Sequence, residues 1–424
     1  MTRRRSSRPS GRAAAGVGRD DGTSRRDVLR SAASLGLAGV LAGCAAESDP
    51  ENSGAPRETR ADPAVYAGFL DGNEVVAIRE RVENDEEPWK TAYDAQIRDA
   101  NRAVAATPSS VVDDGSPPGV DEHRFATGED RPDYRAAIEM GTWVRDLGIG
   151  YVFTGRERFA SAAIRLLEHW FLAPETRMYP SGRNFGETYF SIELHITLPT
   201  LIYGAALVRD SPRWSTVEAD REELRAWVET YLADLEDGRG KQRYTGVVKN
   251  NIYAWWILAR ATAAAYLDDR DALTRAFDDW RAHALDQLEP SGLLKHERQR
   301  VDGLEYSVYG LKALAFTAEI ARHYGVDLYG YALPGDDVSA LLRAFEGNRP
   351  YVTDAAEWEW GTGENGYTDA DRTAAGSVYE LAHSRWDRSE FRAVVESIGR
   401  PLYDRRILGW TTLTHADRFA LDID

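Results

Sequence analysis

The sequence predicts an all-α fold, specifically an α/α toroid (an incomplete α/α barrel) of helical hairpins. Three observations lead there. From Gly72 onward apolar residues recur at helical spacing, as in Val75, Val76, Ile78, Val82, Trp89, Tyr93 and Ile97. Proline is sparse inside the long segments, and no sustained period-two alternation marks a strand. The connections are short, and two hairpins resemble each other, one closing on Trp170 and the other on Trp280. Hairpins that cannot bury an apolar face alone stack on their neighbours. Long non-helical insertions at 108–131 and 347–369 favour a closed ring with a lined cleft over an open solenoid.

Taken in order, the periodicity predicts helices at about 72–106, 131–153, 156–172, 186–209, 214–236, 247–267, 270–287, 304–324, 336–346, 370–385 and 388–399. Thr154-Gly155, 210–212, Asp268-Asp269 and Gly325-Val326 are the turns between them.

The N-terminus reads as an address. Ser24-Arg25-Arg26-Asp27-Val28-Leu29-Arg30 precedes the apolar stretch Ser31 to Ala42, and Leu41-Ala42-Gly43-Cys44 follows. The pattern resembles a twin-arginine export signal joined to a lipobox, with Cys44 as the lipidated residue. The apolar stretch is too short to span a bilayer, which takes roughly 20 residues. Residues 44–71 have the composition of a disordered tether. The expected organisation is therefore a signal peptide at 1–43, the tether, and one helical domain at 72–424. The expected location is the cell surface or periplasm, held to the membrane by the lipid.

Composition excludes several classes. Cys44 is the only cysteine, so no intrachain disulfide framework exists. The 424 residues carry a formal net charge of −17. Residues 1–43 hold nine Arg against three Asp, which leaves −23 on the rest. That balance argues against a nucleic-acid partner. Only five lysines occur (Lys90, Lys241, Lys249, Lys295 and Lys312), and an acidic, lysine-poor surface is halophile-like. No metal-ligand cluster and no glycine-rich cofactor motif is visible, so no metal or cofactor is expected. A monomer is expected.

Three segments carry chemistry-bearing residues. Residues 170–180 end a helix in aromatics and continue into a loop with Pro174, Arg177, Tyr179 and Pro180. Lys249-Asn250-Asn251-Ile252-Tyr253-Ala254-Trp255-Trp256 puts two amides before a tryptophan-rich helix. Residues 297–309 put Arg298, Arg300, Tyr306 and Tyr309 at a loop-to-helix junction. In order, these resemble the alginate lyase family, helical-toroid polysaccharide lyases, at its W-F-L-x-P-x-T-R-M-x-P, N-N-H-x-x-W and E-L-x-R stretches. Gly325 to Tyr331 and Glu87-Pro88-Trp89-Lys90 are similar to two further family stretches. The resemblance spans about 72–346.

The resemblance implies β-elimination on a uronate polymer, alginate- or polymannuronate-like or glucuronan. H5 becomes acidic once the C5 carboxylate is neutralised by amide and guanidinium donors. Asn251 and Arg300 match those positions, with Asn250 beside them, and Tyr306 matches the hydroxyl that protonates the leaving O4 and also takes H5. Tyrosine has an ordinary pKa of about 10, so Arg300 is expected to lower it. Trp255, Tyr189, Arg177, Tyr309 and His195 are candidate substrate-binding residues. One departure stands out: the family's histidine is Ile252 here. Tyr306 then acts as both base and acid, or His195, His296 or His123 replaces the missing base. Where H5 and O4 lie on the same side, as in mannuronate and glucuronate polymers, one tyrosine suffices.

Other readings of the same residues stay open. Asn250 and Asn251 can cap a helix; at least one of Trp255 and Trp256 is core; Arg300 can be a surface ion-pair partner and Tyr306 a core residue; Arg177 can serve its own loop. The alternative functions are a non-catalytic, lipid-anchored polysaccharide binder and a glycoside hydrolase on the same toroid.

Overall fold

The computed structural model describes residues 64–113, 132–180, 192–216, 221–237, 249–360 and 367–418. Cys44, His123 and Tyr189 lie outside them, as do the signal and most of the tether.

Helices α1 (Gly72–Glu83) and α2 (Trp89–Ala103) open the domain. The single helix expected over 72–106 is interrupted between them, where Asp85 takes a left-handed φ of +56° ahead of Pro88. Val76 leaves the predicted stripe and is 54% exposed. Helices α3 (Pro132–Thr154) and α4 (Glu157–Phe171) form the first hairpin. Helices α5 (Ile192–Leu207), α6 (Arg221–Glu236), α7 (Asn251–Leu267) and α8 (Arg270–Asp279) follow. Gly155 and Asp268 supply the left-handed turn residues of the two matching hairpins, and Trp170 and Trp280 are both fully buried. After Asp279 the chain loosens into a π turn over Trp280–Ala284 and a 3₁₀ turn over Leu285–Gln287.

A short helix α9 (Lys295–Arg298) leads into the long α10 (Gly303–His323). Helix α11 (Ala340–Thr353) starts and ends later than predicted and takes up the first part of the 347–369 insertion. It runs through Pro350, whose carbonyl accepts from Asp354 N–H at 2.9 Å, and buried Asn348 donates back to Ala344 O at 2.8 Å. Helices α12 (Asp369–Trp386) and α13 (Ser389–Ile398), a two-residue β-hairpin of β1 (Tyr403–Asp404) with β2 (Gly409–Trp410), and α14 (Thr411–His415) complete the described chain.

Helices α3, α5, α7 and α10 pack side by side in sequence as the inner layer, with α2, α4, α6 and α8 outside them. The inner members are apolar on nearly every side, and in α7 only Ile252 escapes full burial. Outer helices such as α4 and α8 bury one face only. Helices α3 and α5 approach closely because position 204 lacks a side chain: a Cβ on Gly204 would meet Val144 Cγ1 at 2.6 Å.

The C-terminal segment returns to the beginning of the domain. Helix α14 packs on α1, α2 and α12, and β2 on α2 and α3. Trp410 Nε1 donates to Asp99 at 2.9 Å, and Arg145 Nη2 to the Tyr403 hydroxyl at 2.6 Å. Lys312 Nζ reaches Asp404 at 2.7 Å, both fully or almost fully buried. Around α1, Glu74 accepts from His323 at 3.1 Å and pairs with Arg418 at 3.2 Å and with Arg322. Asp71, Glu74 and His323 bring one potential metal-ligand atom each within 4.8 Å of one another. The Arg322 and Arg418 charges already occupy the Glu74 carboxylate, and the group is an ion-pair network. The result is an all-α toroid closed by its last described residues.

Candidate active site

The site forms where the start of α7 meets α9 and the start of α10. Asn250 is the N-cap of α7: its side chain accepts from Ile252 N–H at 3.2 Å and its carbonyl from Gln287 Nε2 at 3.2 Å. Asn251 is the first helical residue and is 1% exposed. Its Nδ2 donates to Glu297 Oε1 at 2.8 Å, and its backbone N–H donates to the same oxygen. The other Glu297 oxygen accepts from Arg300 Nη1 at 2.7 Å. The Arg300 guanidinium carbon lies 3.5 Å from the Tyr306 ring centroid. Gly310 of α10 faces Asn251 of α7 and leaves room for Leu294: a Cβ there would meet Leu294 Cδ2 at 2.7 Å and Asn251 Cβ at 3.4 Å. Asn251 and Arg300 are thus joined through one buried carboxylate, and Tyr306 lies against the Arg300 guanidinium.

Burial pushes the Tyr306 hydroxyl above its ordinary pKa, and Asp302, Glu305 and Glu297 add to the rise. Arg300 pulls the other way without overcoming it. Arg300 thus acts in the expected sense, but the net shift is upward rather than the lowering expected. The guanidinium lies against the ring, and burial outweighs it.

The remaining sequence candidates are placed as follows. Trp255 is fully buried against Tyr309, ring centroids 4.7 Å apart, and has no face left for a sugar. Trp256 is equally buried and donates to Leu235 O at 3.1 Å. Tyr309 sits one helical turn beyond Tyr306, half-buried, with the Arg406 guanidinium 5.9 Å from its ring. Arg177 is exposed, and its loop is held by Met178 N–H to Trp170 O at 2.8 Å and Trp227 Nε1 to Met178 O at 2.7 Å. That motif serves the packing of α4 and α6. His195 lies buried in α5, where burial pushes its pKa down to about 3, so it is neutral and a poor base. His296, next to Glu297, is also shifted down, by burial and then by Lys295. Ile252 is half-buried against the core.

Sequence reasoning gave Glu297 no role. The available signal was its spacing: Glu297 and Arg300 stand three residues apart across one turn, where an acid and a guanidinium meet.

The ring of helical hairpins, together with the family match, makes this a carbon–oxygen lyase acting on polysaccharides. The chain belongs to the alginate lyase family, whose sequence model it matches over residues 78–358. Among solved structures, an alginate lyase from Bacteroides ovatus superposes with a TM-score of 0.68 at 18% identity, covering 86% of this chain and 100% of its own. Alginate lyase A1-III from Sphingomonas species A1 gives 0.60 at 19% identity, over 84% of this chain and 97% of that one. A histidine-to-alanine form of alginate lyase A1-III complexed with a tetrasaccharide gives 0.58 at 18% identity, over 82% and 95%. No curated protein sequence matches this chain significantly.

Proposed function

We propose that the protein cleaves a mannuronate- or glucuronate-type polymer by β-elimination, using Tyr306 as both base and acid. The observation that carries this reading is the cluster itself: Asn251, Arg300 and Tyr306 around Glu297. In the proposed reaction, Asn251 and Arg300 donate to the C5 carboxylate and stabilise the enediolate as H5 leaves. The Tyr306 oxygen takes H5 and returns a proton to O4 as the C4–O4 bond breaks. The product carries a C4–C5 double bond. Ile252 can take no proton, and burial makes His195 a weak base. This favours substrates in which H5 and O4 lie on one side of the ring.

The test is absorbance of the conjugated product on polymannuronate, glucuronan and polyguluronate, each alone. Cleavage of the first or second with little on the third is expected. Efficient polyguluronate cleavage contradicts the single-tyrosine mechanism. Binding of polymer with no product on any of the three contradicts catalysis altogether.

We propose further that the chain is exported by the twin-arginine route and anchored through a lipid on Cys44. Support comes from the Arg25-Arg26 pair, the short apolar stretch and the placement of the sole cysteine. Cys44→Ser should release the protein from membranes; retention there contradicts the anchor.

A further inference from the structure

We propose that Glu297 is the positioning residue of the elimination site: its buried carboxylate fixes the orientation of both the Asn251 amide and the Arg300 guanidinium before substrate arrives. The inference rests on the lyase reading above and assigns a role to a residue that this reading leaves idle.

A carboxylate only accepts hydrogen bonds. Because Oε1 lies 2.8 Å from the Asn251 side-chain nitrogen, the amide NH₂ must face Glu297, and the amide cannot flip without losing the bond. The same oxygen holds the Asn251 backbone N–H at the start of α7, where the helix dipole favours an anion. Glu297 therefore sets the side chain and the main chain of Asn251 together.

Arg300 comes from the loop between α9 and α10, and a loop arginine left to itself samples many rotamers. Two contacts restrict that freedom: the Glu297 bond at 2.7 Å and the Tyr306 ring, whose centroid lies 3.5 Å from the guanidinium carbon. With Nη1 engaged, the other guanidinium N–H groups are the ones free to meet a uronate. Glu297 is fully buried, so solvent does not compete for these bonds. Among the described residues its side chain bonds only Asn251 and Arg300, the two groups the proposed elimination uses. A carboxylate kept only for folding has no reason to select that pair. Positioning of this kind contributes to the barrier through geometry fixed before the substrate arrives.

The experiment measures kcat and KM for unsaturated product with wild type, Glu297→Gln, Arg300→Ala and the double variant, each checked for folding by circular dichroism and melting. Glu297→Gln replaces one acceptor oxygen by a donor facing a donor. It is expected to lower kcat by roughly 100-fold, the scale of losing one oxyanion-hole donor, with KM changed only a few-fold. In the Arg300→Ala background the same change should cost much less, because both substitutions remove one unit. Should Glu297→Gln fail to fold, Glu297→Asp takes its place, and an intermediate kcat with unchanged KM is expected. Fully additive losses, or a wild-type kcat in the variant, overturn the proposal while the lyase reading stands. A wild type that cleaves none of the three polymers overturns the lyase reading and this inference with it.

Discussion

At the scale of single residues, the proposed reaction turns on the tyrosine. In that proposal Tyr306→Phe removes the group that would receive H5 and protonate O4. Product formation should fall by roughly 10³-fold or more, while polymer binding, followed by calorimetry, stays close to wild type. The pH profile carries separate information. Burial raises the Tyr306 pKa from its ordinary value of about 10, so almost all of the hydroxyl is protonated at neutral pH. If the deprotonated oxygen takes H5, log kcat/KM rises with a slope near one from neutral pH towards pH 9. A flat profile at constant ionic strength means that Tyr306 serves only as the acid and another group is the base.

At the scale of elements, the helices were legible in the sequence and the hinges between them less so. Apolar periodicity is a strong signal over fifteen residues, and it placed α3, α4, α7 and α10 closely. It ran through the break at 84–88, because residues on both sides of Pro88 share one spacing. It also ended α11 too early, because Gly347 and Pro350 look like stops until Asn348 is seen bonding inside the helix. Asn251, Arg300 and Tyr306 were legible because their motifs persist in order along the chain. Glu297 heads the same Glu-x-x-Arg stretch, but one carboxylate among 69 acidic residues carries no mark of burial, so its place in the site was not legible. The same limit hid the loop 404–408. There Asp404 accepts from Ile407 N–H at 2.7 Å, Leu408 N–H at 2.9 Å and Lys312 at 2.7 Å, across 92 residues of sequence. Asp404→Asn leaves Lys312 without a countercharge inside the core, and should cost about 3–5 kcal/mol in a denaturant titration. Trp255→Ala should cost a similar amount, about 3–5 kcal/mol, through the cavity it opens. Neither loss should be reversed by adding oligouronate if Trp255 only packs.

At the scale of the whole molecule, charge governs stability. Burial pushes His195 and His415 down to about 3, so both are neutral when folded. Their contribution is complete above the unfolded histidine pKa of about 6.5 and declines as pH falls below it. Burial alone would raise Glu74, Glu319 and Asp417. Arg418 and Arg322, with His323, at Glu74 and Glu319, and His383 and Arg400 at Asp417, hold all three below the usual carboxylate range. Their stabilisation is present above about pH 4 and is lost below it. Asp146 works in the opposite sense: burial raises it to about 6, so protonation favours its folded state between about pH 4 and pH 6. The melting temperature should therefore decline gently below about pH 6.5 and steeply below about pH 4. A melting temperature unchanged down to pH 3 contradicts this. The net charge of −17 adds a salt effect. Added KCl screens the self-repulsion and should raise the melting temperature at neutral pH.

The seam that closes the ring also sets an order of events in biosynthesis. Glu74 is among the first described residues to leave the ribosome, yet its partners Arg322, His323 and Arg418 stand 248, 249 and 344 positions later. The first helix emerges with a carboxylate that nothing nearby can neutralise, and Asp99 waits for Trp410 in the same way. The hairpins between can stack as they appear, each on the one before. The circle itself can be joined only after translation has passed residue 418, so the toroid closes late, after its hairpins have stacked.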